Sequence, residues 1–278
     1  MIVEMMSRGK KMTEDKLIKK NNGIEQDTKL RKENKTEADA CKEGGGKNRK
    51  IKAVIFDIDN TLYSYDQGHV YGMKALEDYC ERTFQLTREE MENYYKTAGK
   101  IMNKRIGSDT AAIHNRLLRI QCMLELMKQP LFPHAFNMYH AYWDTLIQRA
   151  QPSKGAVDFI KELKKRGIRI GIGTDMTAYI QYKKLEALGV APYVDFIVTS
   201  EEAGVEKPHP HFFELCVQKA DVKAYECAFI GDSLTKDVEG ACNNGLNGIL
   251  YTQEQSLDAK IDYLKIRSFN DVNMDCFD

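Results

Sequence analysis

Apolar residues stand together at Ala53-Val54-Ile55-Phe56, and the run ends at once in Asp57. A short, wholly apolar run of this kind predicts a parallel strand buried on both faces. Similar runs follow at Ile168 to Gly173, Phe196 to Thr199, Ala228 to Ile230 and Ile249 to Tyr251. Between them the period changes. Val157, Ile160 and Leu163 recur at helical spacing before Gly167, and Tyr179, Tyr182, Leu185 and Leu188 recur before Gly189, each glycine placed to stop its helix. Strands alternating with helices of this length predict an α/β fold with a parallel sheet.

The interval 66–150 breaks the alternation. It offers amphipathic helical patterns instead, such as Leu117-Leu118, Ile120, Met123-Leu124 and Met127. The reading is an inserted all-α cap domain over 66–150, with the core domain made of 51–65 and 151–278. Because the insert leaves the sheet after the first strand and returns at Pro152, it is expected over that strand's carboxyl end, hinged near Ser64 to Asp66 and Gln151 to Gly155.

Residues 1–50 carry 14 Lys+Arg against 9 Asp+Glu and no Phe, Tyr or Trp, which predicts a disordered, charged N-terminal tail. Gly44-Gly45-Gly46-Lys47 lacks the earlier glycine and following hydroxyl of a phosphate-binding loop and reads as a flexible joint. Over all 278 residues, 41 Lys+Arg balance 41 Asp+Glu, so no broad positive field points to nucleic acid or an anionic membrane. No apolar run approaches the roughly 18 residues of a membrane span, and nothing resembles a secretory signal, so the expected location is the cytoplasm. The seven scattered cysteines, without a Cys-x-x-Cys pair, read as reduced thiols.

Four segments carry candidate chemistry. In Asp57-Ile58-Asp59-Asn60-Thr61, strand alternation lets Asp57 and Asp59 point to one side, at the strand end where ligands of open α/β sheets bind. Two such carboxylates repel unless a cation neutralises one and a proton the other, an arrangement that also suits covalent catalysis beside an acid/base. Thr174, after Ile170-Gly171-Ile172-Gly173, offers a hydroxyl and a backbone N–H for a phosphate oxygen, or alternatively a helix N-cap. Lys207, in Glu206-Lys207-Pro208-His209-Pro210, can neutralise a nucleophile and a phosphoryl group together. In Gly231-Asp232-Ser233-Leu234-Thr235-Lys236-Asp237, Asp232 offers an oxygen ligand and Asp237 returns about one turn later; hard oxygen donors favour Mg²⁺. The plainer reading makes Asp232 an N-cap and Asp237 a dipole partner. His209 and His211 read as surface or capping residues.

These four motifs, in this order and with an insert after the first strand, resemble the haloacid dehalogenase-like (HAD) superfamily, specifically the phosphatase branch of its subfamily I with a helical C1 cap. The resemblance covers about residues 51–278. It implies a Rossmann-like core with helices on both faces, and Asp57 as the nucleophile that becomes an aspartyl phosphate. Asp59 would be the acid/base, with Thr174 and Lys207 on the phosphoryl oxygens. Mg²⁺ would be held by Asp57, Asp59 through its backbone carbonyl, and Asp232, with Asp237 in an outer position. Asp175 departs from the Asn often found there, which bears on local substrate contacts. The presence of Asp59 disfavours dehalogenation, because a halide leaves without a proton.

The expectation is therefore a Mg²⁺-dependent phosphatase of a small phosphorylated metabolite. The string Phe56 to Tyr63 is similar to that of pyrimidine 5′-nucleotidases, which makes a nucleoside monophosphate the leading substrate. Alternatives are a sugar phosphomutase of the β-phosphoglucomutase type, which shares the motifs, and a non-catalytic phosphometabolite-binding protein, which the intact acidic and basic residues argue against. Within the insert, His114, Asn115, Arg116 and Arg119 read as solvated polar groups, and Tyr139, Tyr142 and Trp143 as helix packing.

Overall fold

The computed structural model describes residues 50–107, 110–252 and 263–277, so the charged tail expected over 1–50 lies, apart from Lys50, outside the described residues. The first strand, β1 (Ala53–Phe56), is buried along its whole length. From its end the chain runs through Asp57–Ser64 into four helices: α1 (Tyr65–Phe84), α2 (Arg88–Ile106), α3 (Arg116–Leu126) and α4 (His134–Arg149). Local chemistry starts three of them. The Ser64 hydroxyl accepts from Gln67 N, Thr87 and Glu90 form a reciprocal capping box, and Asn115 Oδ1 accepts from Leu117 N and Leu118 N. Asn115 is thus a helix cap rather than a solvated side chain.

The chain then alternates as the periodicity predicts: α5 (Ala156–Lys165), β2 (Arg169–Thr174), α6 (Ala178–Ala187), β3 (Phe196–Thr199), α7 (Pro210–Ala220), β4 (Cys227–Gly231), β5 (Asn247–Tyr251) and β6 (Leu264–Ile266). The six strands form one parallel sheet in the order β3-β2-β1-β4-β5-β6. β6 was not anticipated; it is a three-residue edge strand whose Leu264 is exposed, and offers too little apolar sequence to stand out. Phe56 is level with Ile172 on one side and Ile230 on the other, so β1, β2 and β4 end at one height. The path moves from β1 through β2 to β3, then crosses to β4 beyond β1. That reversal opens a crevice at the carboxyl ends of β1 and β4, the usual ligand position in such sheets.

Pleating divides the core. Val54 and Phe56 face α5 and α6 through Ile160, Leu163 and Leu185, whereas Ala53 and Ile55 face α7 through Phe212 and Phe213. Each fully buried Val, Ile or Phe contributes about 1.5–3 kcal/mol, so the central strand is firmly anchored where its end must be rigid. A third cluster, built from Leu76, Met91, Ile120, Met123 and Met138, lies wholly among α1 to α4. Tyr142, Trp143 and Leu146 of α4 join the first cluster instead and seat the inserted helices on the α6 side of the sheet. The outgoing and returning segments are tied together: Ser153 N donates to Leu62 O at 2.7 Å and Ser153 Oγ to Thr61 O at 2.8 Å.

One helix face differs from the expectation. Tyr179 and Tyr182 are exposed, and α6 buries Ile180, Gln181, Lys184 and Leu185 instead. Two polar residues occupy core positions because they face the end of β1, as described next. No helix among the described residues is long and apolar enough to cross a membrane. Cys80, Cys122, Cys216 and Cys227 are buried free thiols.

Candidate active site

The ends of β1, β2 and β4 bring four distant segments to one cavity of about 270 Å³, whose wall includes Asp57, Asp59, Thr174, Lys207, Asp232 and Asp237. All six residues singled out from the sequence therefore meet at one place.

Asp57 leaves β1 only 5% exposed, and its backbone N–H continues the sheet by donating to Ile230 O at 2.9 Å. Lys207, 4% exposed, donates from Nζ to Asp57 Oδ1 at 2.8 Å, to Asp237 Oδ1 at 2.7 Å and to Gly173 O at 3.3 Å. The second Asp237 oxygen accepts from Ser233 N at 2.9 Å, so both of its oxygens are committed. A Cβ at Gly231 would collide with that carboxylate; glycine is what lets the Asp237 side chain lie under the end of β4. The helix that follows is capped by Ser233, so Asp232 is not its cap; Asp237 does lie in its first turn, as the plainer reading has it, but its buried carboxylate is also bonded to Lys207.

Asp57, Asp232 and Asp237 present oxygens within 4.8 Å of one another. Burial pushes Asp57 well above the usual carboxylate range; Lys207 opposes the shift, while Asp237, Asp232 and Asp59 add to it. Asp232 reaches solvent with part of its side chain, yet the burial of its carboxyl, and then the Asp237 charge, push it up to about 6. Lys207 moves the other way: burial would lower it, but Asp237 and Asp57 outweigh that and hold it firmly protonated. One ammonium cannot balance three clustered acids. The surplus of hard oxygen donors fits a divalent cation such as Mg²⁺.

Asp59 turns away from this cluster. It accepts from Lys184 Nζ at 2.6 and 2.8 Å, from Tyr63 OH at 2.6 Å and from Gln181 Nε2 at 3.1 Å. Burial alone would raise its pKa; Lys184 and these hydrogen bonds outweigh burial and lower it. Thr174 is buried at the end of β2, and its Oγ1 accepts from the same Gln181 amide at 2.7 Å. It does not cap α6, whose N-cap is Thr177. Asp175 receives Lys207 N at 3.0 Å and Lys236 Nζ at 3.1 Å, which gives the residue in the usual Asn position a definite task. His209 caps α7 through its ring, as expected.

Sequence reasoning missed Gln181 and Lys184. The available signal was two polar residues at positions i and i+3 beside Ile180 and Leu185, on what should be a buried helix face. It also misplaced two insert residues: His114 and Arg116 line the cavity rather than facing solvent. Tyr142 and Trp143 pack as expected, although the Tyr142 hydroxyl reaches Arg116 Nη2 at 3.1 Å and His69 Nδ1 at 2.6 Å.

A parallel sheet bearing a buried acid at the end of its central strand, a lysine bonded to it and further acids on the neighbouring strand defines a class of hydrolases. The chain belongs to the haloacid dehalogenase-like hydrolases, whose family model matches residues 51–245. It is 37% identical over 209 residues to a ribulose-1,5-bisphosphate 5-phosphatase of Halopiger xanaduensis, covering 74% of this chain and 87% of that one. A glyceraldehyde 3-phosphate phosphatase of Methanocaldococcus jannaschii is 28% identical over 200 residues, covering 70% and 82%. Among solved structures, a 2-haloacid dehalogenase from Pseudomonas syringae shares the fold at a TM-score of 0.66 and 22% identity, covering 79% of this chain and 95% of that one. The chain is a hydrolase of this family, of the phosphatase kind to which its sequence relatives belong.

Proposed function

We propose that the protein is a Mg²⁺-dependent phosphatase of small phosphorylated metabolites that works through an aspartyl phosphate on Asp57, with 51–65 and 151–278 as the catalytic domain and 66–150 as its cap. The observation that carries this reading is the setting of Asp57: rigid at the end of the central strand, bonded to Lys207, and clustered with Asp232 and Asp237.

Asp57, the Asp59 backbone carbonyl and Asp232 would hold the Mg²⁺, and Asp237, with both oxygens committed, would orient Lys207 beside it. The ion would supply positive charge to the phosphoryl oxygens as negative charge builds on them. An Asp57 oxygen attacks phosphorus, the bond to the leaving oxygen breaks, and Asp59 gives that oxygen a proton. Asp59 then takes a proton from water, whose oxygen attacks the same phosphorus, releasing inorganic phosphate and restoring Asp57. Lys207 balances the charge on Asp57 and the phosphoryl group throughout, and the Thr174 hydroxyl with the neighbouring backbone N–H receives a phosphoryl oxygen. The cap excludes bulk water during transfer. For this cycle Asp59 must break from Lys184 to carry a proton, so its ion pair describes the base-ready form.

The cavity of about 270 Å³ lies just below the usual ~300–1,000 Å³ of ligand sites, which favours a short phosphorylated sugar or acid over a nucleoside monophosphate. The test is phosphate release from short-chain phosphates and nucleotides, with Mg²⁺ or with a chelator, in the wild type and Asp57→Asn. Metal-dependent release that falls at least ~10³-fold in the variant supports the reading. Equal turnover in the variant would remove Asp57 as nucleophile, and label returning to the sugar instead of appearing as free phosphate would mark a phosphomutase.

A further inference from the structure

The cations lining the cavity differ in one respect. Lys207 is paired with Asp57 and Asp237, and Lys236 with Asp175 and Glu206. Arg116, from the first turn of α3 in the insert, has no carboxylate within ion-pair distance among the described residues. Its Nη2 donates to the Tyr65 and Tyr142 hydroxyls, and its Nε is buried without an acceptor. No acceptor among the described residues engages Nη1.

A guanidinium is always charged, and leaving it among rings is costly unless something negative compensates. The faces of Tyr95, Tyr142 and Trp143 lie 5.8, 4.8 and 5.9 Å from its Cζ, and with the two phenols they offset part of that cost. His69 beside it cannot serve as a counter-anion, since an imidazole is neutral or cationic; burial and then Arg116 hold its pKa down to about 4, so it adds no second positive charge either. The phenol contacts fix the direction of the guanidinium and leave the counter-anion missing.

We propose that Arg116 is the binding site for a second anionic group on the substrate, so that the molecule cleaved is a bisphosphate or a phosphorylated carboxylic acid rather than the phosphate of a neutral alcohol. This rests on the phosphatase reading for the position of the first phosphate. The charges are divided accordingly. The carboxylates at the strand ends, with Lys207 and a cation, serve the phosphoryl group; on the insert side of the same small cavity His114 lies 2.7 Å from Glu206 Oε1, while Arg116 has no carboxylate partner among the described residues. A short molecule filling about 270 Å³ that touches the phosphoryl residues also touches this wall. Guanidinium and carboxylate or phosphate match in planar, paired hydrogen bonds, which a neutral hydroxyl cannot replace.

The test uses two matched pairs of ligands: 2-phosphoglycolate against 2-hydroxyethyl phosphate, and 1,3-propanediol bisphosphate against 3-hydroxypropyl phosphate. Calorimetric binding to the full-length Asp57→Asn protein with Mg²⁺ reads affinity without turnover. The doubly anionic member of at least one pair is expected to bind ten times tighter or more, and the pair that responds identifies carboxylate or phosphate as the second anion. In Asp57→Asn/Arg116→Met that ratio collapses towards one, whereas Asp57→Asn/Arg116→Lys keeps part of it, with circular dichroism verifying that each variant folds. Equal binding within both pairs, or a ratio that survives Arg116→Met, overturns the proposal. Turnover assays on the wild type separate the two readings. If no ligand releases phosphate but the Arg116-dependent ratio is present, the phosphatase reading falls and the anion site stands; release without the ratio has the opposite meaning.

Discussion

Lys184 Nζ lies 2.6 and 2.8 Å from the two oxygens of Asp59, across 125 residues of sequence, and the lysine is 0% exposed. Burial opposes both charges, but with unequal results. At Asp59 the ammonium prevails and the pKa is lowered; at Lys184 burial prevails over Asp59 and that pKa is lowered as well. The residue assigned acid/base work is therefore gripped by a cation and two neutral donors, Tyr63 and Gln181.

Replacing Lys184 by Met should remove this grip. About a quarter of the Asp59 side chain reaches solvent, so the loss of stability is expected at the low end for buried pairs, about 3 kcal/mol, read by denaturant unfolding. Asp59 would titrate higher without the ammonium. Because the proton on Asp59 assists the leaving oxygen, the alkaline limb of kcat/KM for alkyl phosphates should move to higher pH, and kcat should fall ~10²-fold through loss of positioning. p-Nitrophenyl phosphate, whose leaving group needs little proton assistance, should lose much less in kcat/KM. Equal losses on both substrates would mean that Lys184 serves folding alone.

The acidic cluster predicts a pH-dependent response to metal. Asp57 and Asp232 both titrate higher in the folded protein than their ordinary value near 4. The stability they contribute is complete below that value and declines as pH rises through the folded values, about 6 for Asp232. A bound divalent cation reverses the penalty at the upper end of this window. At a hundredfold excess over Kd, Mg²⁺ contributes about 2.7 kcal/mol. For a body of this size that corresponds to a rise in Tm of about 5–10 °C. The rise should be greater at pH 7.5 than at pH 5 and should vanish in Asp232→Ala, as differential scanning fluorimetry with a chelator control would report.

Most positions legible in the sequence lie at the carboxyl end of an apolar strand, where fold geometry leaves few options: Asp57, Thr174 and Asp232 are of this kind. Lys207, on a loop, is legible only as one of four motifs in a fixed order. The strands themselves were legible because the central ones are buried on both faces; β6, exposed at Leu264, was not. Lys184 and Arg116 lie on helices, where a basic residue is ordinarily solvated and periodicity ranks it with the polar face. Their importance comes from partners 125 residues away for Lys184 and 51 for the Tyr65 contact of Arg116. Helical spacing carries no information about such partners. The tyrosines of α6 misled for a related reason: Tyr179 and Tyr182 repeat at helical spacing but lie on the exposed face.

Asp175 offers a milder test. Its Oδ1 accepts the Lys207 backbone N–H and its Oδ2 the partly exposed Lys236 ammonium. Asn retains an acceptor for the backbone but presents an amide N–H₂ to Lys236. Asp175→Asn should lose no more than about 1 kcal/mol, since the lost pair is half in solvent. Asp175→Ala removes both contacts and frees the loop that carries Lys207, so kcat should fall further than in Asp175→Asn. Equal kcat in the two variants would show that the backbone contact does not position Lys207.

Gly231→Ala isolates the floor of the site from its charges. The added methyl group occupies the place of the Asp237 carboxylate, which is bonded on both sides and backed by β4, so it cannot move without breaking its bonds to Lys207 or Ser233 N. Overpacking of this kind costs about 1–3 kcal/mol, and the displaced Asp237 would release Lys207 from one of its two acid partners. The expected result is a lower Tm, weaker Mg²⁺ stabilisation and slower phosphate release, although no ionisable group has been removed. Combining it with Asp237→Ala discriminates between causes. If the collision is with Asp237, the double variant is less destabilised than the sum of the two single changes. Additive losses would place the strain elsewhere in β4.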